Sequence, residues 1–556
     1  MSDAATAHPR RSATAAELTT PLSIAAQFAT VHGRQVYFRM AGQGPVIVLL
    51  HQSPQNSRAM LPWIERLAAQ FCVIAPDTPG FGFSDPLAHP NPEIPDFAVA
   101  LAQFLDVIGV EKCLLFGVHT GAVTAMRLAL DFPGKVAGLV LDGYARFDKT
   151  EREALLKGYL PPFEPTWDGL HLPWAWARMR EQHFFFPWFD PSRGARMNYG
   201  VPGVTHVHGN VMDLLDAGDH YRVGYRAPFM YADATAAARL TVPARIFYRA
   251  EDVLISHLDR LPALPAHVKA ERVEGGAAAL VAETDAAFAE MAGGSTHMDS
   301  SRICAKGGER RVTGGAMPHL ALRHRSGRGA NTRVIIGDLA RPAVLPVDCD
   351  AWRETIVMEL PLHGASIGWE ASMLSADSIV RRIVDCLNDV DAPLHLFGQG
   401  AGAGVAALLA EALCNRTVSL TLDDPVLLND AERNQYLDLL PDPSLQVGGG
   451  HLLAAWQWAR HRYLFWPWLP QTGAAARKVA APAPRRVHGD VVEALRCGAM
   501  LKPLAQSLLS IDTAAALAAL TIPIRLQAQS GEPARLAARG GLPHTGAREG
   551  LEHWSR

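Results

Sequence analysis

Cysteine is scarce and oddly counted. Seven residues, at positions 72, 113, 304, 349, 386, 414 and 497, are scattered over 556. That excludes a disulfide framework and fits buried thiols in a reducing compartment. No stretch offers about 18 uninterrupted apolar residues, so no membrane span is expected. The opening MSDAATAHPRRSATAAELTT carries an Arg-Arg pair with no apolar run behind it. A secretory signal is therefore not expected, residues 1–22 are expected to be a disordered tail, and the location to be cytoplasmic. A surplus of one charge is also missing. A net charge of −3 gives no electrostatic case for nucleic acid or an acidic membrane surface. No His/Cys/Asp/Glu cluster has metal-ligand spacing.

What is present is the composition of a globular protein, 49% hydrophobic and 19% charged, long enough for two to four domains. Short apolar runs alternate with helical stretches: VYFRM, PVIVLLH (45–51), CVIAPD (72–77), CLLFG and GLVLDG (138–143). After a helix-rich section of about 90 residues comes PARIFYRAED (243–252). Such alternation predicts an α/β chain with a mostly parallel, doubly wound sheet.

The order then returns. LHLFGQGAGAGVAALLA (394–410) echoes LLFGVHTGAVTAMRLA, 281 residues earlier. HLLAAWQWARHRYLFWPW (451–468) echoes HLPWAWARMREQHFFFPW (171–188) at an offset of 280, and VHGD echoes VHGN at the same offset. ELPLHG (359–364) faces DTPGFG (77–82) at 282. A period of whole-domain length predicts a tandem duplication and not a solenoid. The expected plan is a domain over 23–292 with a helical cap at about 145–235, and a linker over 293–328. A second domain over 329–556 follows, with a cap at about 427–515. The linker is placed on AGGSTHMDSSRICAKGGERRVTGGAM, rich in Gly, Ser, Lys and Arg. The two copies are expected to pack together, and the chain to be a possible homo-oligomer.

Five landmarks in the first copy resemble the α/β-hydrolase superfamily. His51-Gln52-Ser53-Pro54 follows a strand where that family commonly has His-Gly-x-Pro. Asp77 to Asp85, DTPGFGFSD, is similar to its Asp-x-Pro-Gly-x-Gly-x-Ser loop. Gly117-Val118-His119-Thr120-Gly121 occupies the strand-turn-helix nucleophile elbow. The helical insert sits where the family places its cap, and Asp252 aligns with its catalytic acid. The resemblance covers roughly 30–290 and extends in degraded form to the second copy. It implies a hydrolase of a small, fairly apolar carbonyl compound (ester, amide or carbon–carbon bond), with no required cofactor. It also implies an oxyanion hole formed by the backbone N–H groups of Ser53 and Thr120.

Two triad positions depart from that pattern. Histidine, not a nucleophile, stands at 119, and the segment RVEGGAAALVAE has Ala277 or a neighbour where the usual histidine is expected. Three readings stay open. His119, longer than serine, reaches Asp252 and works as a general base on water or on a substrate proton, the latter giving a cofactor-free lyase. Alternatively Thr120 or Ser53 is the nucleophile and His297 returns to the pocket. In the third reading the fold is kept as a catalytically inactive binding or assembly module. The second copy looks structural. Its elbow is Gly398-Gln399-Gly400-Ala401-Gly402, Glu532 falls opposite Asp252, and RVIIGDLARP offers no counterpart to the His-Gln-Ser-Pro loop.

Pocket candidates are His51, Gln52, Val118, Trp174, His183 and His206. The aromatics from Trp174 to Trp188 read either as a pocket wall or as packing of the cap. Packing is favoured because His451, Trp456, Phe465, Pro467 and Trp468 recur beside an empty elbow. His208 and His488 fall under the same argument. His183 and His206 are better functional candidates, because Tyr463 and Arg486 replace them in the second copy.

Overall fold

The computed structural model describes residues 23–305, 308–313, 318–465, 471–476 and 480–527. The tail 1–22, Pro467, Trp468 and Glu532 lie outside them. The first half supplies β1 (Ala25–Val31), β2 (Arg34–Ala41), β3 (Gln43–Leu50), β4 (Cys72–Pro76), β5 (Cys113–Val118), β6 (Val136–Asp142), β7 (Ala244–Arg249), β8 (Val268–Val273) and β9 (His297–Asp299). The sheet order is β1-β2-β4-β3-β5-β6-β7-β8, with β9 paired to β3 off that path. From β4 to β8 every neighbouring pair is parallel, and β2 joins β4 antiparallel.

The near-continuous apolar runs are explained by burial of both sheet faces. Val48, Ile74 and Leu115 enter one core cluster, while their chain neighbours Ile47, Val73 and Phe116 enter another on the opposite face. One-residue alternation thus fills two cores from the same strands.

The second half supplies β10 (Arg310–Thr313), β11 (Leu320–Ser326), β12 (Thr332–Ile336), β13 (Glu354–Met358), β14 (Leu394–Gln399), β15 (Thr417–Asp423) and β16 (Ile524–Gln527). Its order, β10-β11-β13-β12-β14-β15-β16, repeats the first sheet from β1 to β7. The α/β-hydrolase fold is therefore laid out twice. Residues 293–328, read from composition as a linker, hold β9, β10 and β11. β10 ends the second sheet and β9 lies off the main path of the first, places where a polar sequence is suited, while β11 pairs on both sides with β10 and β13. Gln27 anchors the returning chain, donating to Ile303 O and accepting from Ala305 N–H.

Helices inserted between β6 and β7, and between β15 and β16, form the two caps. Their aromatic residues meet each other. His171 and His488 lie 3.1 Å apart, and so do His208 and His451. The His171 ring stands edge-on to Trp456, and the His451 ring edge-on to Trp176. Each contact has a partner with the copies exchanged, so the caps pack about a pseudo-two-fold axis. Arg496 closes the seam with an ion pair to Asp216 at 2.6 Å. One core cluster runs from Leu172 and Val211 of the first cap through Trp456 and Val491 of the second.

Candidate active site

The elbow is built by tight packing of the helix Thr120–Asp131 against β3 and β5. A Cβ on Gly121 would overlap the carbonyl of Leu50, so the turn admits only glycine there. His119 sits at φ 46°, ψ −104°, outside the regions open to a β-carbon-bearing residue without strain. Its N–H donates to Asp142 O at 2.9 Å, which fixes the turn to the end of β6.

His119 Nε2 lies 2.9 Å from Asp252 Oδ2. A carboxylate only accepts, so Nε2 carries the proton and Nδ1 is left as the ring's acceptor. Asp252 is held from two further directions. Leu254 N–H reaches Oδ1 at 2.8 Å, and Arg249 Nη2 reaches Oδ2 at 2.9 Å. Arg249 Nε also reaches Asp142 Oδ1 at 3.2 Å. The His119 side chain keeps 25% of its surface exposed against 2% for Asp252, so the imidazole is the member of the pair that can meet a substrate.

Burial alone would depress the His119 pKa, but the charge and hydrogen bond of Asp252, with Asp142 behind, outweigh it and leave it above the ordinary imidazole value. For Asp252 burial pushes upward, and His119, Arg249 and the Leu254 N–H together pull it well below the usual carboxylate range. Asp142 is raised by burial despite Arg249. Gly143, at φ +69°, makes room for the ring: a Cβ there would stand 2.5 Å from His119 Cδ2. The Nδ1–Cε1 edge therefore faces away from Gly143.

The two oxyanion-hole candidates are adjacent, with one donor already engaged. Ser53 N–H donates to Thr120 Oγ1 at 2.8 Å, and the two hydroxyl oxygens are 3.2 Å apart. An incoming oxygen has to displace the Thr120 hydroxyl. His51 is not a pocket residue. It is buried, Nδ1–H donates to Gln52 O at 3.1 Å, and Nε2 accepts Thr78 N–H at 2.9 Å. Both ring nitrogens are spent, Nδ1 within the loop after β3 and Nε2 joining it to the loop after β4, and burial pushes its pKa down.

Gln52, His183 and His206 belong to one polar chain. Gln52 Nε2 donates to Gln55 Oε1 at 3.3 Å, and Gln55 Nε2 donates to Asn210 Oδ1 at 2.9 Å. Asn210 Nδ2 meets His206 Nε2 at 3.1 Å and His183 Nε2 at 3.4 Å. Trp174 is elsewhere: its ring packs on Phe163, which in turn faces His488 of the other cap. Val118 ends β5 beside the elbow, half-buried. His297 pairs with Pro45 at the start of β3, whereas the elbow packs on the end of that strand. Five residues of strand, about 17 Å, separate the two, so His297 does not complete a triad.

Arg249, Asp142, Asn210 and Tyr199 were not singled out from sequence. Tyr199 donates to Glu251 O at 2.7 Å, which brings the cap down beside Asp252. Only the place of Asp142 at the end of GLVLDG, beside the elbow strand, offered a signal. Among the described residues no group of three or more His, Cys, Asp or Glu could hold a metal ion.

Residues 45–186 match a family model described as alpha/beta hydrolase fold. An uncharacterized hydrolase of Saccharomyces cerevisiae is 34% identical over 179 residues, which is 32% of this chain and 59% of that protein. A pimeloyl-[acyl-carrier protein] methyl ester esterase of Vibrio parahaemolyticus is 31% identical over 105 residues, 19% of this chain and 39% of that protein. This chain thus spans less than two thirds of either relative. Among solved structures, epoxide hydrolase A from Mycobacterium thermoresistibile aligns with 50% of this chain and 100% of its own, at 18% identity and a TM-score of 0.39.

Proposed function

We propose that the α/β-hydrolase-fold domain at the start of this chain hydrolyses small carbonyl compounds, esters in the first place, with His119 as general base. The observation that carries this reading is the 2.9 Å contact of His119 Nε2 with Asp252 on a strained elbow. Strain of about 1–3 kcal/mol is kept where a side chain must be aimed. Asp252 orients the ring and stabilises the cation it becomes.

A water at Nδ1 gives up a proton to that nitrogen as its oxygen bonds to the carbonyl carbon. The carbonyl π electrons move to oxygen, which takes the Ser53 and Thr120 N–H groups once the Thr120 hydroxyl turns aside. Collapse restores the carbonyl, the alkoxide leaves, and it recovers the proton from Nδ1. No acyl-enzyme forms, because no side-chain nucleophile stands at the elbow. The polar chain from Gln52 to His183 and His206 would bound the pocket on the cap side.

The test is a panel of short-chain aryl and alkyl esters. Hydrolysis that falls at least about 100-fold in H119A supports the general base. Activity that survives H119A, or an organophosphate adduct on Ser53 or Thr120, overturns it. A second reading, a binding module, is favoured by one observation: Ser53 N–H is already satisfied by Thr120. Saturable ester binding without turnover would establish it.

A further inference from the structure

The second copy gives its empty elbow a partner. Strand register places Ile336 against Gly398 as Leu50 stands against Gly117. Three residues on, Leu339 occupies the place of Ser53, Asp338 that of Gln52, and Ala401 that of Thr120. Leu339 N–H and Ala401 N–H, donors from two separate elements, converge on a single oxygen: Asp338 Oδ1, at 2.8 and 2.9 Å. Two backbone donors meeting on one oxygen is the geometry that holds the oxyanion of a tetrahedral intermediate. Here an internal carboxylate is held instead.

The occupant is tightly fixed. Arg462 Nη2 reaches Asp338 Oδ2 at 2.5 Å, and Arg341 Nε lies 3.4 Å from the same oxygen. Asp338 is buried, and a Cβ on Gly400 would overlap its Oδ1. The side-chain-free elbow and the inserted carboxylate are thus two halves of one change. In the first copy the matching donor, Ser53 N–H, is covered by a neutral hydroxyl that moves by one side-chain rotation. In the second it is covered by a charged group with two arginines behind it.

We propose that the second copy keeps a formed oxyanion hole closed by Asp338 as a resident ligand, and that removing this side chain uncovers a site for a small carboxylate anion. The site does not depend on catalysis by the first copy. The full chain carrying D338A tests it, with sodium formate as the probe. Formate is expected to raise the melting temperature of D338A saturably, by about 3 °C or more beyond sodium chloride at equal ionic strength. It should leave wild type no different from chloride, and the formate carbon resonance should broaden with D338A alone. Equal responses in the two proteins, or none in D338A, would overturn the proposal. Should D338A be recovered unfolded, refolding becomes the readout. Soluble yield rising with formate but not chloride supports the resident-ligand role, and no rise with either refutes it.

Discussion

His119 is held between two carboxylates that favour its cation, while base catalysis needs it neutral. With its pKa above the ordinary value near 6.5, kcat/KM is expected to rise with pH through an inflection above that value. D252N removes the main source of the upward shift and should bring the inflection down while lowering the plateau, as read from pH–rate profiles of both proteins. Stability runs the other way. The raised histidine contributes fully below about pH 6.5 and loses its contribution as pH climbs through its folded pKa. The depressed Asp252 contributes above about pH 4 and loses it in acid. Melting curves should therefore show the pair stabilising most between those limits, on the acid side of the activity maximum. Thr120 allows a sharper test. T120A frees Ser53 N–H and should raise kcat/KM several-fold, in line with about 1 kcal/mol for displacing one hydrogen bond. No change would mean that an oxyanion never reaches this donor. His119 and Asp252 were legible because each stands in a motif tied to a strand end. Arg249 and Asn210 were not, because their roles depend on which loops the topology brings together.

At the scale of elements, the strand ends and the turns behind them position the chemistry. G143A should cost about 1–3 kcal/mol and at least tenfold in activity, because φ +69° and the His119 ring both oppose a Cβ. Circular dichroism melts and ester assays separate the two effects. The alternation of strands and helices was readable because burial on both faces leaves plain apolar runs. The loop after β12 was missed because the stretch from β12 to β13 is shorter than that from β3 to β4. The offset slips there, and Asp338 falls out of line with Gln52 in a simple comparison of the two halves. The structure restores the match through register. A further switch lies in the cap helices. Burial lowers His171 and His208 to about 4 and His488 to about 3. The unfolded chain takes up their protons first as pH falls below about 6.5, so stability is complete above that value and drains toward pH 4. A melting temperature that falls over this range, and falls less in H488F, would identify the cap interface as its source.

At the scale of the whole molecule the halves meet between β1 and β10 and again at the seam between the caps, and the second contact recasts Trp176 in the aromatic section from Trp174 to Trp188. Composition could not say whether large aromatics face a ligand, a core or a neighbouring copy, since all three bury them. Trp456, fully buried against the His171 ring, is the most exposed to test. W456A should cost about 3–5 kcal/mol and split thermal unfolding into two calorimetric transitions. A single transition at lower temperature would mean that the halves unfold together without this contact. Asp216 and Arg496 carry the same consequence further. They are equivalent positions, 280 residues apart, and they meet each other across the pseudo-axis. Two identical subunits joined about a true axis would bring aspartate to aspartate there, or arginine to arginine. Opposite charges can share that spot only because each half is encoded separately, so neither half, cut free, could replace its lost neighbour with a twin of itself without setting like charges face to face.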